Sequence, residues 1–203
     1  MPNWCDNQLT VRGAPEAIEA FAARAASDRP DDGEPEPLTL GAFIPFPPAL
    51  ADTQDHLHLP GPGEVKAAQI AGLSLDPVEA SERISSLLFG PGDDWFSWNL
   101  ANWGTKWDID GAQVVRLEPD WLVYRFLSAN SPPLAWLRRL AMCRPELELE
   151  LMYSEPGCVA FGLVAYRAGN LARAEDWSDD DPAARFAQAG WPEAYPPDEE
   201  MKE

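Results

Sequence analysis

The stretch Glu146–Tyr153, E-L-E-L-E-L-M-Y, alternates without a slip: Leu147, Leu149, Leu151 and Tyr153 fall on one side, Glu146, Glu148 and Glu150 on the other. Strand side chains point to opposite faces with period two, so this pattern describes a strand with one face in a core and one in water. Such sheets are antiparallel. Gln113–Glu118 and Trp121–Leu127 are β-rich runs separated only by Pro119-Asp120, which predicts a tight hairpin. Glu155-Pro156-Gly157 then turns the chain into a last strand, Cys158–Tyr166.

Working outward, Leu9 and Val11 alternate with Gln8, Thr10 and Arg12 in a first strand that Gly13 ends. A helix follows, with Pro15 in its first turn, Glu16 and Glu19 at the positive end of its dipole, and Ile18, Phe21, Ala22 and Ala25 on one side. Ser131-Pro132 caps a second helix whose apolar side is Leu134, Leu137, Leu140 and Ala141; Pro145 ends it at Arg144. The order predicts an α+β, ferredoxin-like antiparallel sheet (βαββαβ plus an extra strand), with two helices on one face and a mostly helical insertion. Residues 1–44 and 100–168 form the split core, 45–99 the insertion, and 169–203 an acidic, proline-rich C-terminal extension.

In the insertion, Glu64–Ala71 and the run that starts at Asp76-Pro77 and stops at Gly90-Pro91 read as helices. Leu38–Pro48, apolar but broken by prolines, reads as an extended segment laid against the core. Trp177, Phe186, Trp191 and Tyr195 read as anchors of the extension. On the sheet face away from the helices the alternation puts Arg12, Arg116, Arg125, Glu118, Glu146, Glu148 and Glu150, a solvated, salt-bridged surface.

With 45% hydrophobic residues in 203, the chain is globular, and its formal net charge is −19. Asp28–Glu36 holds five acids (Asp28, Asp31, Asp32, Glu34, Glu36) against Arg29, a net of −4, and Glu175–Glu203 ten acids against Arg185 and Lys202, a net of −8. Binding a phosphate backbone needs clustered Lys and Arg, so direct nucleic-acid binding is not expected, nor is base stacking on an RNA-recognition sheet. The surplus suits a basic partner protein. No run approaches membrane-spanning length and the N-terminus lacks the marks of a leader, which predicts a cytoplasmic protein. Cys5, Cys143 and Cys158 are odd in number and far apart, which argues for reduced core residues.

Trp95, Trp98, Trp103 and Trp107 place four of nine tryptophans within thirteen residues. The segment N-W-G-T-K-W-D, Asn102–Asp108, supplies the strongest candidate binding residues: Lys106 for an anionic group, Trp103 or Trp107 for a ring, and Asp108, Asn102 and Asn7 in polar roles. Read as structure, the same residues make a Lys106–Asp108 pair and a turn allowed by Gly104, and this reading is preferred because all the polar groups come from one local stretch. Cys5 lacks a basic neighbour and reads as a buried core thiol rather than a nucleophile. His56 and His58 with Asp52 and Asp55 have metal-ligating residue types, but two histidines at i, i+2 are too few, so neither metal nor cofactor is expected.

Three strings, M-P-N-W-C-D-N-Q-L-T-V-R-G (Met1–Gly13), F-I-P-F-P (Phe43–Pro47) and N-W-G-T-K-W-D, together resemble a family of small bacterial proteins carried on plasmids, phages and genomic islands. The C-terminal part of that family is called the YubB ferredoxin-like domain. The resemblance spans most of Met1–Tyr166 and implies a ferredoxin-like fold; the family has no established activity to carry over. The acidic loop at 28–36 and the chain after Gly169 depart from it. The function expected is a non-enzymatic, protein-interaction accessory of a mobile element. Its acidic contact surface would include Asp31, Asp32, Glu34, Asp179, Asp180 and Asp181, and in a sharper form it would mimic nucleic acid. The alternative is an enzyme or small-ligand binder built on Asn102–Asp108.

Overall fold

The computed structural model describes residues 3–26, 36–53, 94–157, 160–178 and 181–191. The helices expected at 64–71 and 76–89 lie outside them. Along the described chain run β1 (Trp4–Arg12), α1 (Pro15–Ala25), a short 3-10 turn (Pro48–Leu50), α2 (Trp95–Asn102), β2 (Asp110–Glu118), β3 (Trp121–Ala129), α3 (Leu134–Cys143), β4 (Glu148–Glu155), β5 (Ala160–Arg167), β6 (Asn170–Asp176) and α4 (Pro182–Gln188). The architecture is mixed α+β: one six-stranded sheet in the order β2-β3-β1-β4-β5-β6, with every neighbouring pair antiparallel.

β1 lies at the centre because both of its neighbours can bury a face against it. Leu9 and Val11 sit opposite Tyr124 and Leu122 of β3 and Leu151 and Leu149 of β4, and all six are buried. This face packs on Ile18, Phe21 and Ala25 of α1 and on Trp136, Leu137 and Leu140 of α3. Each such side chain contributes about 1.5–3 kcal/mol on full burial. The alternation in Glu146–Tyr153 thus names the face that packs on the helices, in a strand that begins at Glu148, but its other face is not wholly in water, because Met152 there is buried. The Pro119-Asp120 hairpin is present.

Two further expectations need correction. Ser131 does not cap α3; its hydroxyl donates instead to the Gly104 carbonyl at 2.6 Å, and no side chain caps that helix at Pro133. The sheet also continues past Tyr166. Ala168 and Gly169, both at positive φ, reverse the chain so that Arg167 pairs with Asn170, and β6 adds a sixth strand.

β6 and α4 give the far face of the sheet a core of its own. Met152, Phe161, Leu163 and Ala165 are covered by Trp177, Phe186 and Trp191. The Phe186 ring meets Trp177 edge-on at 5.0 Å and Trp191 at 5.7 Å. The anchors expected at Trp177, Phe186 and Trp191 are therefore real, while Tyr195 lies outside the described residues. On the opposite face of the same strand, Gly162 permits a close approach: a Cβ there would lie 2.4 Å from the Glu175 carbonyl and 2.6 Å from the Tyr153 hydroxyl.

Because Phe186 is fully buried, Phe186→Ala is expected to cost about 3–5 kcal/mol in denaturant unfolding. A detached tail would give a change within about 0.5 kcal/mol.

Candidate functional site

α2 starts at a two-way cap. The Asp94 carboxylate accepts from Phe96 N at 2.8 Å and Ser97 N at 2.9 Å, while Ser97 Oγ accepts from Asp94 N. The helix ends at Trp103, and Gly104, with φ +83°, turns the chain where a Cβ would press to 3.1 Å from Ala135 N. That turn lays the next residues against α3 and the end of β3. Thr105 Oγ1 donates to the Ala129 carbonyl at 2.9 Å and accepts from Ala129 N at 3.1 Å.

The polar groups of this segment are directed at the protein's own backbone. Asn102 Nδ2 donates to the Trp98 carbonyl at 2.8 Å, and Asn99 Nδ2 to the Lys106 carbonyl at 2.8 Å. Trp103 Nε1 donates to the Ile44 carbonyl at 2.9 Å. Asp108 Oδ1 accepts from Leu40 N at 2.7 Å and Ile109 N at 2.8 Å, and Oδ2 accepts from Gly41 N at 3.1 Å. The Lys106 ammonium stands 4.8 Å from the Trp107 ring centre and 5.9 Å from that of Phe96, a cation–π position. Asn7 is buried on β1, donating to the Cys5 carbonyl and to Ser128 Oγ, both at 2.8 Å.

Asn7, Asn102, Trp103, Lys106, Trp107 and Asp108 are accordingly engaged in separate contacts within the protein. The clamp of Asp108 on Leu40 and Gly41 had no signal in sequence, since its partners are backbone N–H groups nearly seventy positions away.

Cys5 is fully buried, and burial pushes its thiol up to about 12, with the charges of Asp6 and Glu155 adding to the effect and a Ser128 hydrogen bond opposing it. A neutral, enclosed thiol is a poor nucleophile. Cys143, expected in the core, is instead exposed near the end of α3, and Cys158 lies outside the described residues. Asp52 is described; Asp55, His56 and His58 are not. Among the described residues no group of three or more His, Cys, Asp or Glu could hold a metal ion. Of the acidic contact residues, Asp31, Asp32, Glu34, Asp179 and Asp180 lie outside the described residues. Asp181 caps α4, accepting from Ala184 N at 3.2 Å.

The open part of the far sheet face carries a constellation that sequence alone did not join. Arg12 from β1 and Arg116 from β2 flank Trp121 of β3, their guanidinium carbons 4.2 and 3.7 Å from its ring centre. Alternation had placed the arginines on this face; only the register brings them to one indole. Arg125 Nε donates to Gln8 Oε1 at 3.0 Å, Arg167 meets Glu148 at 3.3 Å, and Arg116 meets Glu118 at 3.8 Å. Two adjoining cavities of about 300 and 320 Å³ share Arg12 and Glu148, and they add Arg167 but also Asp120, Glu146 and Glu150. Carboxylates outnumber guanidinium groups there, and the flanked indole offers no open ring for a base to stack on.

No family model and no curated protein matches the chain. Among solved structures it is similar to protein api92 from Yersinia pseudotuberculosis, described as a DUF1281 protein, at 12% identity and a TM-score of 0.44, covering 87% of this chain and 98% of that one. At that level the likeness carries no argument about function.

Asp108→Asn sets an amide against a backbone N–H and is expected to cost about 1–3 kcal/mol, whereas Lys106→Met, losing a cation–π contact at a partly exposed site, should cost below about 1 kcal/mol. Chemical denaturation of both variants is the check; a ligand site would show little loss of stability at Asp108→Asn as well. Burial pushes Tyr124 and Tyr153, like Cys5, up to about 12. In the unfolded chain these groups ionise earlier, so their contribution is intact below about pH 9 and fades as pH rises toward 12. Thermal unfolding across that window should show a falling midpoint, less steep in Tyr124→Phe.

Proposed function

We propose that the protein is a non-enzymatic interaction module whose acidic segments meet a basic partner protein. The observation that carries this reading is how the acidic extension is tethered. Trp177, Phe186 and Trp191 bury themselves on the sheet beside Arg125, whose guanidinium lies 5.6 Å from the Trp191 ring. The sequence beyond Trp191 then carries Glu193, Asp198, Glu199, Glu200 and Glu203 against Lys202. A dense negative segment joined to a fixed point suits a basic partner, because concentrated charge steers an oppositely charged surface.

Support against an enzyme or ligand site in Asn102–Asp108 comes from the same geometry: its amide, hydroxyl and carboxylate groups bond the protein's own backbone. We further read the sheet as ferredoxin-like, on the ground that β1 lies between β3 and β4 with β2 outside β3, so two β-α-β units interleave. With the string resemblances at Met1–Gly13, Phe43–Pro47 and Asn102–Asp108, this supports membership of the YubB-type mobile-element family. No described helix is long and apolar enough to cross a membrane; a reducing, cytoplasmic setting is inferred from the free Cys5 and Cys143.

The test is affinity purification from bacterial lysate with the wild type and with a variant in which Asp179, Asp180, Glu193, Asp198, Glu199 and Glu200 become Asn or Gln. Recovery of basic proteins should fall steeply between about 50 and 200 mM salt and be lost in the variant. Recovery of no basic protein, or equal recovery by the variant, contradicts the proposal.

A further inference from the structure

Between α1, the Phe43-Ile44 segment and α3 lies a cleft of about 230 Å³, lined by Arg24, Phe43, Ile44, Arg139, Leu140, Cys143 and Arg144. Three of these seven are arginines and none is acidic, in a chain of net charge −19. The other cavities differ in kind. Those on the far sheet face and beneath α4 contain Glu148, Glu150 or Glu175, and the apolar groove between α1 and the β2-β3 hairpin contains Glu19 and Glu118. Arg144 is held by Glu146 at 2.5 Å. Among the described residues, neither Arg24 nor Arg139 has a carboxylate partner; the contact shown for Arg24 is with the Phe43 ring, 5.6 Å away.

The apolar wall is rigid. Phe43 stacks on Phe21 at 4.7 Å and meets Trp136 edge-on at 6.0 Å, while the Ile44 carbonyl is fixed by Trp103 Nε1. An arginine in the last turn of α1 would suit the helix dipole and nothing more. That accounts for Arg24 alone, not for Arg139 across the cleft or for the aromatic floor between them. A guanidinium without a partner presents a fork of N–H donors matched to a carboxylate or phosphate. The volume, below the roughly 300–1,000 Å³ of drug-sized pockets, limits the occupant to a small body.

We propose that this cleft binds a small ligand with an apolar aryl or alkyl body and one anionic head group, the body against Phe43, Ile44 and Leu140 and the head between Arg24 and Arg139. The site is separate from the acidic segments, so either proposal can fail without the other.

The experiment titrates the full chain with 4-phenylbutyrate and with phenyl phosphate, using 4-phenylbutanol as the neutral control. Methyl resonances of Ile44 and Leu140, and protection of Cys143 from alkylation, are the readouts. The expected result is binding of at least one anionic probe at about millimolar affinity, weakened ten-fold or more in Arg24→Gln/Arg139→Gln and absent for the alcohol; which anion binds identifies the head group. The two arginines are exposed, so the double variant should keep the wild-type melting profile, and the readouts then report the site. Three results overturn the proposal: no methyl shift with either anion, equal binding of the alcohol, or undiminished binding by the double variant.

Discussion

Three backbone N–H groups converge on the carboxylate of Asp108, and two of them belong to Leu40 and Gly41, residues of the segment between α1 and α2. Two indoles complete the attachment from other directions: Trp136 Nε1 donates to the Leu40 carbonyl and Trp103 Nε1 to the Ile44 carbonyl. Each bond to a charged acceptor contributes about 1.5–3 kcal/mol before solvent screening. The turn at 40–44 has little regular structure, so these bonds replace the ladder that a strand would have had. With it held, Leu38 and Leu40 are fully buried and Phe43 stacks on Phe21. Trp103 suits this task, since an indole brings a large apolar body and one donor to the same place.

The sheet then separates the molecule into two unlike sides. One side is a continuous core under α1 and α3. The other is divided: Met152, Phe161, Leu163 and Ala165 of β4 and β5 are covered by Trp177, Phe186 and Trp191, while β1, β3 and β2 present Arg12, Trp121 and Arg116 among ion pairs. Exposed pairs of that kind contribute at most about 1 kcal/mol each. The densest negative charge lies in the segments at 28–36 and 175–203.

Sequence periodicity revealed what depended on periodicity. Leu147, Leu149 and Leu151 named their face, and Ile18, Phe21 and Ala25 named the buried side of α1. β6 escaped because Asn170–Asp176, N-L-A-R-A-E-D, has no β-branched or aromatic residue and its reversal uses Ala168-Gly169 rather than Asn-Gly. Ser131 looked like a cap because its type and position fit one, yet a nearby carbonyl at Gly104 competes for the hydroxyl. At Asn102–Asp108 the residue types were legible and their partners were not. Asp108 could have faced a ligand, a lysine or the backbone, and only the packing of distant chain against it decides. The segments at 28–35, 54–93 and 192–203 lie outside the described residues, so the expectations for them rest on sequence.

The central claim is that the tryptophan-rich segment clamps the 40–44 turn rather than lining a ligand site. Amide hydrogen exchange at Leu40 and Gly41 tests it most directly. The account predicts that both amides exchange as slowly as those of Leu9 and Val11 in β1, and that Asp108→Ala releases them while β1 stays protected. Rapid exchange of both amides in the wild-type protein would contradict it.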